Sequence, residues 1–247
     1  MKLNKDDTSN AMQVVIPVKS LTVAKARLSA ILNSGERECL ARYMLEDVLA
    51  ATGSAEGVTE VFIVSSDSQV DAIAKMYGAQ LIADTAGNLN GALQEAAAQL
   101  MAQGAQELLI LHADVPLVTS AGIDGFIQQH RKFSGGDLRI SLIAAEADGG
   151  TNALILSPPD ALVPVFGKDS CRRFLQAEKK YGIDVQVVEN KEIALDIDRP
   201  DDLLSLLAVS ENKSKTSSYL EKINVFARFE KASGLPKQTT LLAGQVV

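Results

Sequence analysis

The stretch "ELLILHADVPLVT", residues 107–119, decides the fold. It begins as an unbroken apolar run, delivers His112, Ala113 and Asp114, and is closed by Pro116. A strand that is apolar on both sides belongs to a sheet with both faces covered by helices. Proline cannot donate to a strand ladder, so the strand ends near Asp114. A packed core does not require an acid there, but the carboxyl end of a buried strand is well placed to hold Mg2+ against a nucleotide's phosphates. The competing role for Asp114 is to cap the helix that starts near Ser120, and Thr119 or Ser120 lie nearer to that start. His112 shares the strand face of Asp114, and His130 lies in a helix; both read as structural rather than catalytic.

Outward from this strand, short apolar runs alternate with helical patterns. "MQVVIPV" (12–18), "VTEVFIVSS" (58–66), "AQLIAD" (79–84), "LRISLIAAE" (138–146) and "NALILS" (152–157) read as further strands. "ERECLARYMLEDVLAATG" (36–53), "DSQVDAIAKMYG" (67–78), "NGALQEAAAQLMAQG" (90–104), "AGIDGFIQQHRKF" (121–133) and "SCRRFLQAEKKYG" (170–182) carry apolar residues at helical spacing, with glycine stops at Gly78 and Gly104. "IDVQVVEN" and "EIALDI" read as edge or hairpin strands, and "RPDDLLSLLA" (199–208) as a closing helix with Pro200 in its first turn. This β-α alternation predicts an α/β fold built on an open, mostly parallel sheet with helices on both faces. The character changes near residue 209. "VSENKSKTSS" reads as a polar linker, and "YLEKINVFARFEKASG" (219–234) as one amphipathic helix that repeats Leu220, Ile223, Phe226 and Phe229, a candidate dimerisation or docking element. The chain therefore divides at 12–208 and 209–247.

Composition narrows the function. The chain is 47% hydrophobic and 22% charged, with a net charge of −7 that argues against a nucleic-acid partner. No run approaches the roughly 18 apolar residues of a membrane span. The start, "MKLNKDDTSNA", has no signal-peptide core, and Cys39 and Cys171 are two thiols far apart, so the expected location is cytoplasmic.

Against that acidity, "PVKSLTVAKARLS" (17–29) clusters Lys19, Lys25 and Arg27 just after the first strand. Neither a dinucleotide fingerprint nor a P-loop occurs anywhere in the chain. Lysine and arginine side chains can still neutralise phosphate oxygens, although a solvated helix start would look the same. In "ADGGTNALILS" and "PVFGKDSCRRF", Gly149 and Gly150 permit close approach of a ligand, and Thr151 and Asn152 offer short hydrogen-bonding groups. Asp169 or Ser170 can cap a helix whose N-terminus, preceded by Gly167, suits an anion. In "ALDIDRPDDL", Asp196 and Asp198 alternate around Ile197 and share one face of a short strand. One acid there can join Asp114 at a metal while another, Asp198 or Asp201, caps the last helix.

Six segments in order, "IPVKSLTVAKARLS", "NLNGAL" (88–93), "HADVPLVT", "GGTNAL", "FGKDS" and "DIDRPDDL", resemble the guanylyltransferases of deazaflavin coenzyme F-420 biosynthesis. That family includes 2-phospho-L-lactate guanylyltransferase and its phosphoenolpyruvate-using relatives, and the resemblance spans about residues 12–208. It implies a three-layer sheet of the nucleotide-diphospho-sugar transferase (Rossmann-like) type, GTP as donor and Mg2+ as cofactor. By motif, Lys19, Lys25 and Arg27 fall in the triphosphate-binding segment, and Asn90 and Gly91 fall beside the nucleotide. Asp114 and Asp196 match the metal-binding acids. Thr151, Asn152, Gly167 and Ser170 match positions lining a phosphorylated acid acceptor: 2-phospho-L-lactate, phosphoenolpyruvate or 3-phospho-D-glycerate. Lys25, Asp114 and Asp196 are the expected catalytic set. Two residues depart from the family pattern: Ala113 stands where glycine is common, and Phe174 where histidine is often found. Rival readings are a nucleotidyltransferase for a sugar phosphate or molybdopterin and a non-catalytic nucleotide-binding module. The missing glycine-rich first loop counts against the former, and the retained Asp114 and Asp196 against the latter.

Overall fold

The computed structural model describes residues 12–209 and 214–233. The polar start "MKLNKDDTSNA", residues 210–213 of the linker, and the tail from 234 onward lie outside the described residues.

The strands are β1 (Met12–Pro17), β2 (Val58–Ser65), β3 (Gln80–Ala83), β4 (Glu107–Leu111), β5 (Arg139–Ala144), β6 (Thr151–Ser157) and β7 (Asp184–Val187). The helices are α1 (Ser34–Ser54), α2 (Gln69–Met76), α3 (Leu89–Ala102), α4 (Ser120–Lys132), α5 (Ser170–Tyr181), α6 (Lys191–Ala194), α7 (Pro200–Val209), α8 (Lys215–Lys222) and α9 (Val225–Ser233). The strands form one sheet in the order β3-β2-β1-β4-β6-β5-β7. β6 is antiparallel to β4 and β5, and the other pairs are parallel, so the mostly parallel sheet read from the alternation is present.

Period-two alternation builds the two cores. Val14, Ile16, Leu109 and Leu111 face α1, α2, α4 and α7, while Val15, Leu108 and Ile110 face α3 and α5. Every residue of β4 and β6 is buried, as an interior strand between two helical layers demands. The helix ends follow their local chemistry. Asn33 and Glu36 close a capping box on α1, Asn88 caps α3 and Thr119 caps α4. Gly78 and Gly104 take positive φ after α2 and α3, as their role as stops requires.

Two elements differ from expectation. "EIALDI" is no strand: α6 is followed by extended chain. The Asn190 side chain accepts from the N–H groups of Glu192 and Ile193 and so nucleates a helical turn. The expected single helix over 219–234 is two helices, broken where Asn224 takes a left-handed φ of 51°. Ser214 caps α8, so the end of the polar linker becomes its first turn.

α8 lies along α1. Asp47 accepts from the backbone N–H groups of Lys215 and Thr216 and from the Thr216 hydroxyl, at 2.9, 2.9 and 2.6 Å. Lys215 also reaches Glu46, and Arg228 grips both oxygens of Glu36 at 2.7 Å each. Leu220 and Val225 are fully buried against this surface, while Phe226 stays 50% exposed. None of the described helices is long and apolar enough to cross a membrane.

Candidate active site

β1 and β4 are neighbours from which the chain moves to opposite edges of the sheet, from β1 to β2 and from β4 to β5, and at this reversal of strand order a crevice opens at their carboxyl ends. A cavity of about 630 Å³ lies there, lined among others by Lys19, Lys25, Asp84, His112, Asp114 and Asp198.

After β1 the chain makes two single 3-10 turns, Leu21–Val23 and Ala26–Leu28, each anchored by a buried leucine. The Asp67 carboxylate, after β2, accepts from the Leu21 N–H at 2.9 Å and holds the segment against the sheet. Between the turns Lys25 takes a left-handed backbone, φ 56° and ψ 39°. Its ammonium donates to Asp114 Oδ2 and Asp198 Oδ1, both at 2.7 Å. Arg27 donates to Asp198 Oδ2 at 3.2 Å from a largely exposed position. Lys19 is exposed on the cavity wall with no ion-pair partner among the described residues.

Asp114 sits in the turn that follows β4. The Ile197 N–H donates to its backbone carbonyl at 3.0 Å, which draws the extended segment of Asp196 and Asp198 alongside. Ile197 is fully buried, so its two acidic neighbours point out to the site, as a strand would have placed them. Asp114, Asp196 and Asp198 each bring a carboxylate oxygen within 4.8 Å of the others. Neither the Asp198 nor the Asp201 side chain caps α7 among the described residues; an acid inside its first turn reaches back to the preceding chain instead. Asp202 Oδ2 accepts from the N–H groups of Asp198 and Arg199, at 2.8 and 2.6 Å, and Asp198 is left for the site. The D-I-D spacing was the sequence signal for this third acid.

Charge compensation sets the protonation states. Burial works against the Lys25 ammonium, but Asp114 and Asp198 outweigh it and hold its pKa above the usual lysine range. Burial likewise disfavours the Asp114 carboxylate, and Lys25 brings its pKa below the usual range. Asp196 has no such cation. Burial, and then the Asp114 charge, push its pKa up to about 6 despite a hydrogen bond from Asn152. Asp114 Oδ1 is buried without a partner, and three clustered carboxylates are hard oxygen donors. This donor set fits a divalent cation such as those that accompany nucleotide phosphates.

The remaining predicted residues flank this centre. Asn90, in the first turn of α3, accepts from the Phe166 N–H at 2.8 Å and donates to its carbonyl at 3.3 Å, so it pins the loop before α5. Gly91 packs so closely that a Cβ there would meet the Ala86 side chain at 2.9 Å. Ser170 and Thr151 are buried and bond to each other at 2.9 Å, so their hydroxyls do not line the cavity. Asn152 donates to the carbonyls of Ile193 and Ala194 and to Asp196, which makes it a bracket for the acidic segment. Gly167 has a φ of 121°, a conformation that L side chains rarely adopt. Asp169 precedes α5 in a left-handed conformation without capping it through its side chain. Phe174 is fully buried edge-on to Phe166, whose ring is tilted against His112 at 5.1 Å. The two phenylalanine rings therefore form an apolar wall against His112. His112 Nε2 is buried without a partner.

The fold is that of the nucleotide-diphospho-sugar transferases. A putative nucleotide-diphospho-sugar transferase from Desulfovibrio desulfuricans G20 superposes with a TM-score of 0.72 at 15% identity, over 88% of this chain and 97% of that one. Residues 12–240 match the family described as "Guanylyl transferase CofC like", and the chain belongs to that family. It is 34% identical over 193 residues to a phosphoenolpyruvate guanylyltransferase of Conexibacter woesei, covering 78% of this chain and 85% of the relative. It is 37% identical over 195 residues to the enzyme of that name from Rubrobacter xylanophilus, covering 78% and 92%. A 2-phospho-L-lactate guanylyltransferase of Methanosphaera stadtmanae is 26% identical over 220 residues, covering 87% and 92%. The protein is thus a guanylyltransferase that uses GTP.

Proposed function

We propose that the protein transfers GMP from GTP to the phosphate of a three-carbon phospho-acid in coenzyme F-420 biosynthesis, with phosphoenolpyruvate as acceptor. Its higher identity to the relatives named for phosphoenolpyruvate, 34% and 37% against 26%, favours that acid over 2-phospho-L-lactate. 3-Phospho-D-glycerate is the third candidate of the same size and charge. Free thiols at Cys39 and Cys171 accord with a cytoplasmic setting.

The observation that carries the reading is the meeting of Lys25, Arg27 and the three acids at one crevice. An acceptor phosphate oxygen attacks the α-phosphorus of GTP, the bond from the α-phosphorus to the bridging oxygen breaks, and pyrophosphate leaves. The acceptor phosphate is already an anion, so no side chain need remove a proton. The protein must hold two polyanions together and neutralise their charge. Asp114, Asp196 and Asp198 would hold Mg2+, which when bound screens phosphate charge and favours in-line displacement. Lys19, Lys25 and Arg27 take the negative charge of the departing pyrophosphate. Asn90 and Gly91 shape the nucleotide side, and Thr151, Asn152, Gly167 and Ser170 shape the acceptor side through the backbone they brace.

Asp114→Asn removes one charge from the acidic cluster and preserves volume. It should lower pyrophosphate release from GTP and phosphoenolpyruvate by at least about 100-fold, within the range reported for losing one electrostatic group, with the melting temperature held. Wild-type turnover in this variant would remove Asp114 from the chemistry. Offering the three acids separately and identifying products by mass decides the acceptor.

A further inference from the structure

We propose that Asp84 selects the guanine base, a specificity role that rests on the guanylyl transfer proposed above and assigns the far end of the same cavity.

The cavity runs across strand ends. Asp114 follows β4, Lys19 follows β1, Ser66 follows β2 and Asp84 follows β3, and all four line it. The strands are adjacent in the order β4-β1-β2-β3, three spacings that together cover about 14 Å. With the phosphates drawn to the cations and acids at the β1 and β4 end, the base of an extended nucleotide lies toward β2 and β3.

At that end Asp84 is preset. Its N–H donates to the Ser65 carbonyl at 3.1 Å and continues the ladder beyond β3. Its Oδ1 accepts from the N–H groups of Ala86 and Gly87, each at 3.1 Å, which fixes the carboxylate. Its Oδ2 has no hydrogen-bond partner among the described residues. The oxygen of neighbouring Asn88 is engaged, because Oδ1 caps α3, and one Nδ2 hydrogen goes to the Ala86 carbonyl. The turn therefore presents one fixed, charged acceptor.

A carboxylate oxygen matches adjacent N–H donors and repels lone pairs. Guanine carries the 2-amino group beside N1–H, two donors on one edge. Adenine and cytosine place a ring-nitrogen lone pair beside their amino group, and uracil flanks its N–H with carbonyls. Guanine alone gains at Oδ2, and a carboxylate held in advance loses little freedom on binding it.

Asp84→Asn tests this. Asparagine keeps an oxygen for the two turn N–H groups and replaces Oδ2 with an amide donor, which suits the 2-carbonyl of xanthine. Turnover and calorimetric binding would be measured with GTP and XTP. The expected result is a fall in kcat/KM for GTP of about 10- to 100-fold, the scale of one hydrogen bond to a charged group. XTP should improve, so that the GTP:XTP preference collapses or reverses. A folding defect lowers both nucleotides alike, so the ratio isolates the contact. An unchanged ratio, or an equal loss of both nucleotides, would overturn the role of Asp84. A wild-type enzyme that releases no pyrophosphate from GTP with any of the three acids would instead overturn the function on which it rests.

Discussion

Lys25 neutralises two carboxylates that would otherwise repel each other, and it does so from a left-handed backbone position held between two short turns. Before any metal arrives, this ammonium is the buried cation of the acidic cluster, while Arg27 reaches Asp198 from an exposed position. Metal and lysine then compete for Asp114 and Asp198. Lys25→Met should bind Mn2+ about tenfold more tightly without nucleotide, a gain of about 1.4 kcal/mol, while GTP turnover falls. Calorimetric titration with Mn2+ reads the affinity directly, and an unchanged value would show that Lys25 is no competitor. The cations and Asp114 were legible in the sequence because charge stood out against an apolar strand and an acidic chain. The freedom of Asp198 was not. Asp196, Asp198, Asp201 and Asp202 crowd within seven residues at the start of one helix, and only the fold shows that Asp202 reaches back to the Asp198 and Arg199 N–H groups while the Asp198 carboxylate faces the cations. Nor did the sequence show that the Ser170 and Thr151 hydroxyls would satisfy each other, since that pairing joins separate elements.

Among the elements, α4 carries a second buried polar cluster, away from the crevice. The His130 ring is fully buried between the hydroxyls of Ser141 and Ser157, at 2.8 Å each. Burial pushes its pKa down to about 4; Glu107 opposes this, and Arg139 and Arg131 reinforce it. The folded value lies below the ordinary value of about 6.5, so the neutral ring is the form the fold prefers. Its contribution is fully present above pH 6.5 and is lost as the pH falls from there through about 4, because the unfolded chain takes up the proton first. That loss approaches about 3 kcal/mol. Urea unfolding at pH 7 and pH 4.5 should show His130→Gln less stable than wild type at pH 7 but losing less on acidification. Parallel losses would exclude the histidine as the cause. Periodicity revealed the long helices and buried strands. It failed at α6 and at the α8–α9 break, where a single asparagine side chain or backbone angle outweighs a weak apolar pattern.

On the scale of the whole molecule, α8 is tied to α1 by a buried leucine and by Asp47, which accepts from the N–H groups and a hydroxyl of its first turn. Leu220→Ala should cost roughly 2–5 kcal/mol, the range for a fully buried leucine, and denaturant unfolding would measure it. A cost near zero would mean that α8 adds nothing to the stability of the sheet domain. The sheet itself holds one more consequence. β6 runs against its neighbours, so its beginning, not its end, stands at the catalytic edge: the Asn152 carbonyl accepts from the His112 N–H there, while Ser157 finishes beside Glu107 at the opposite edge. The chain after β6 must therefore climb the full height of the sheet to bring Phe166 back to His112 and Asn90. On the function proposed above, the nucleotide would be met by the tips of successive strands, and the acceptor by a strand's root and a returning traverse. The two halves of the proposed reaction would then rest on separable stretches of chain, so that length or composition could drift in the traverse while the nucleotide's seat stays as it is.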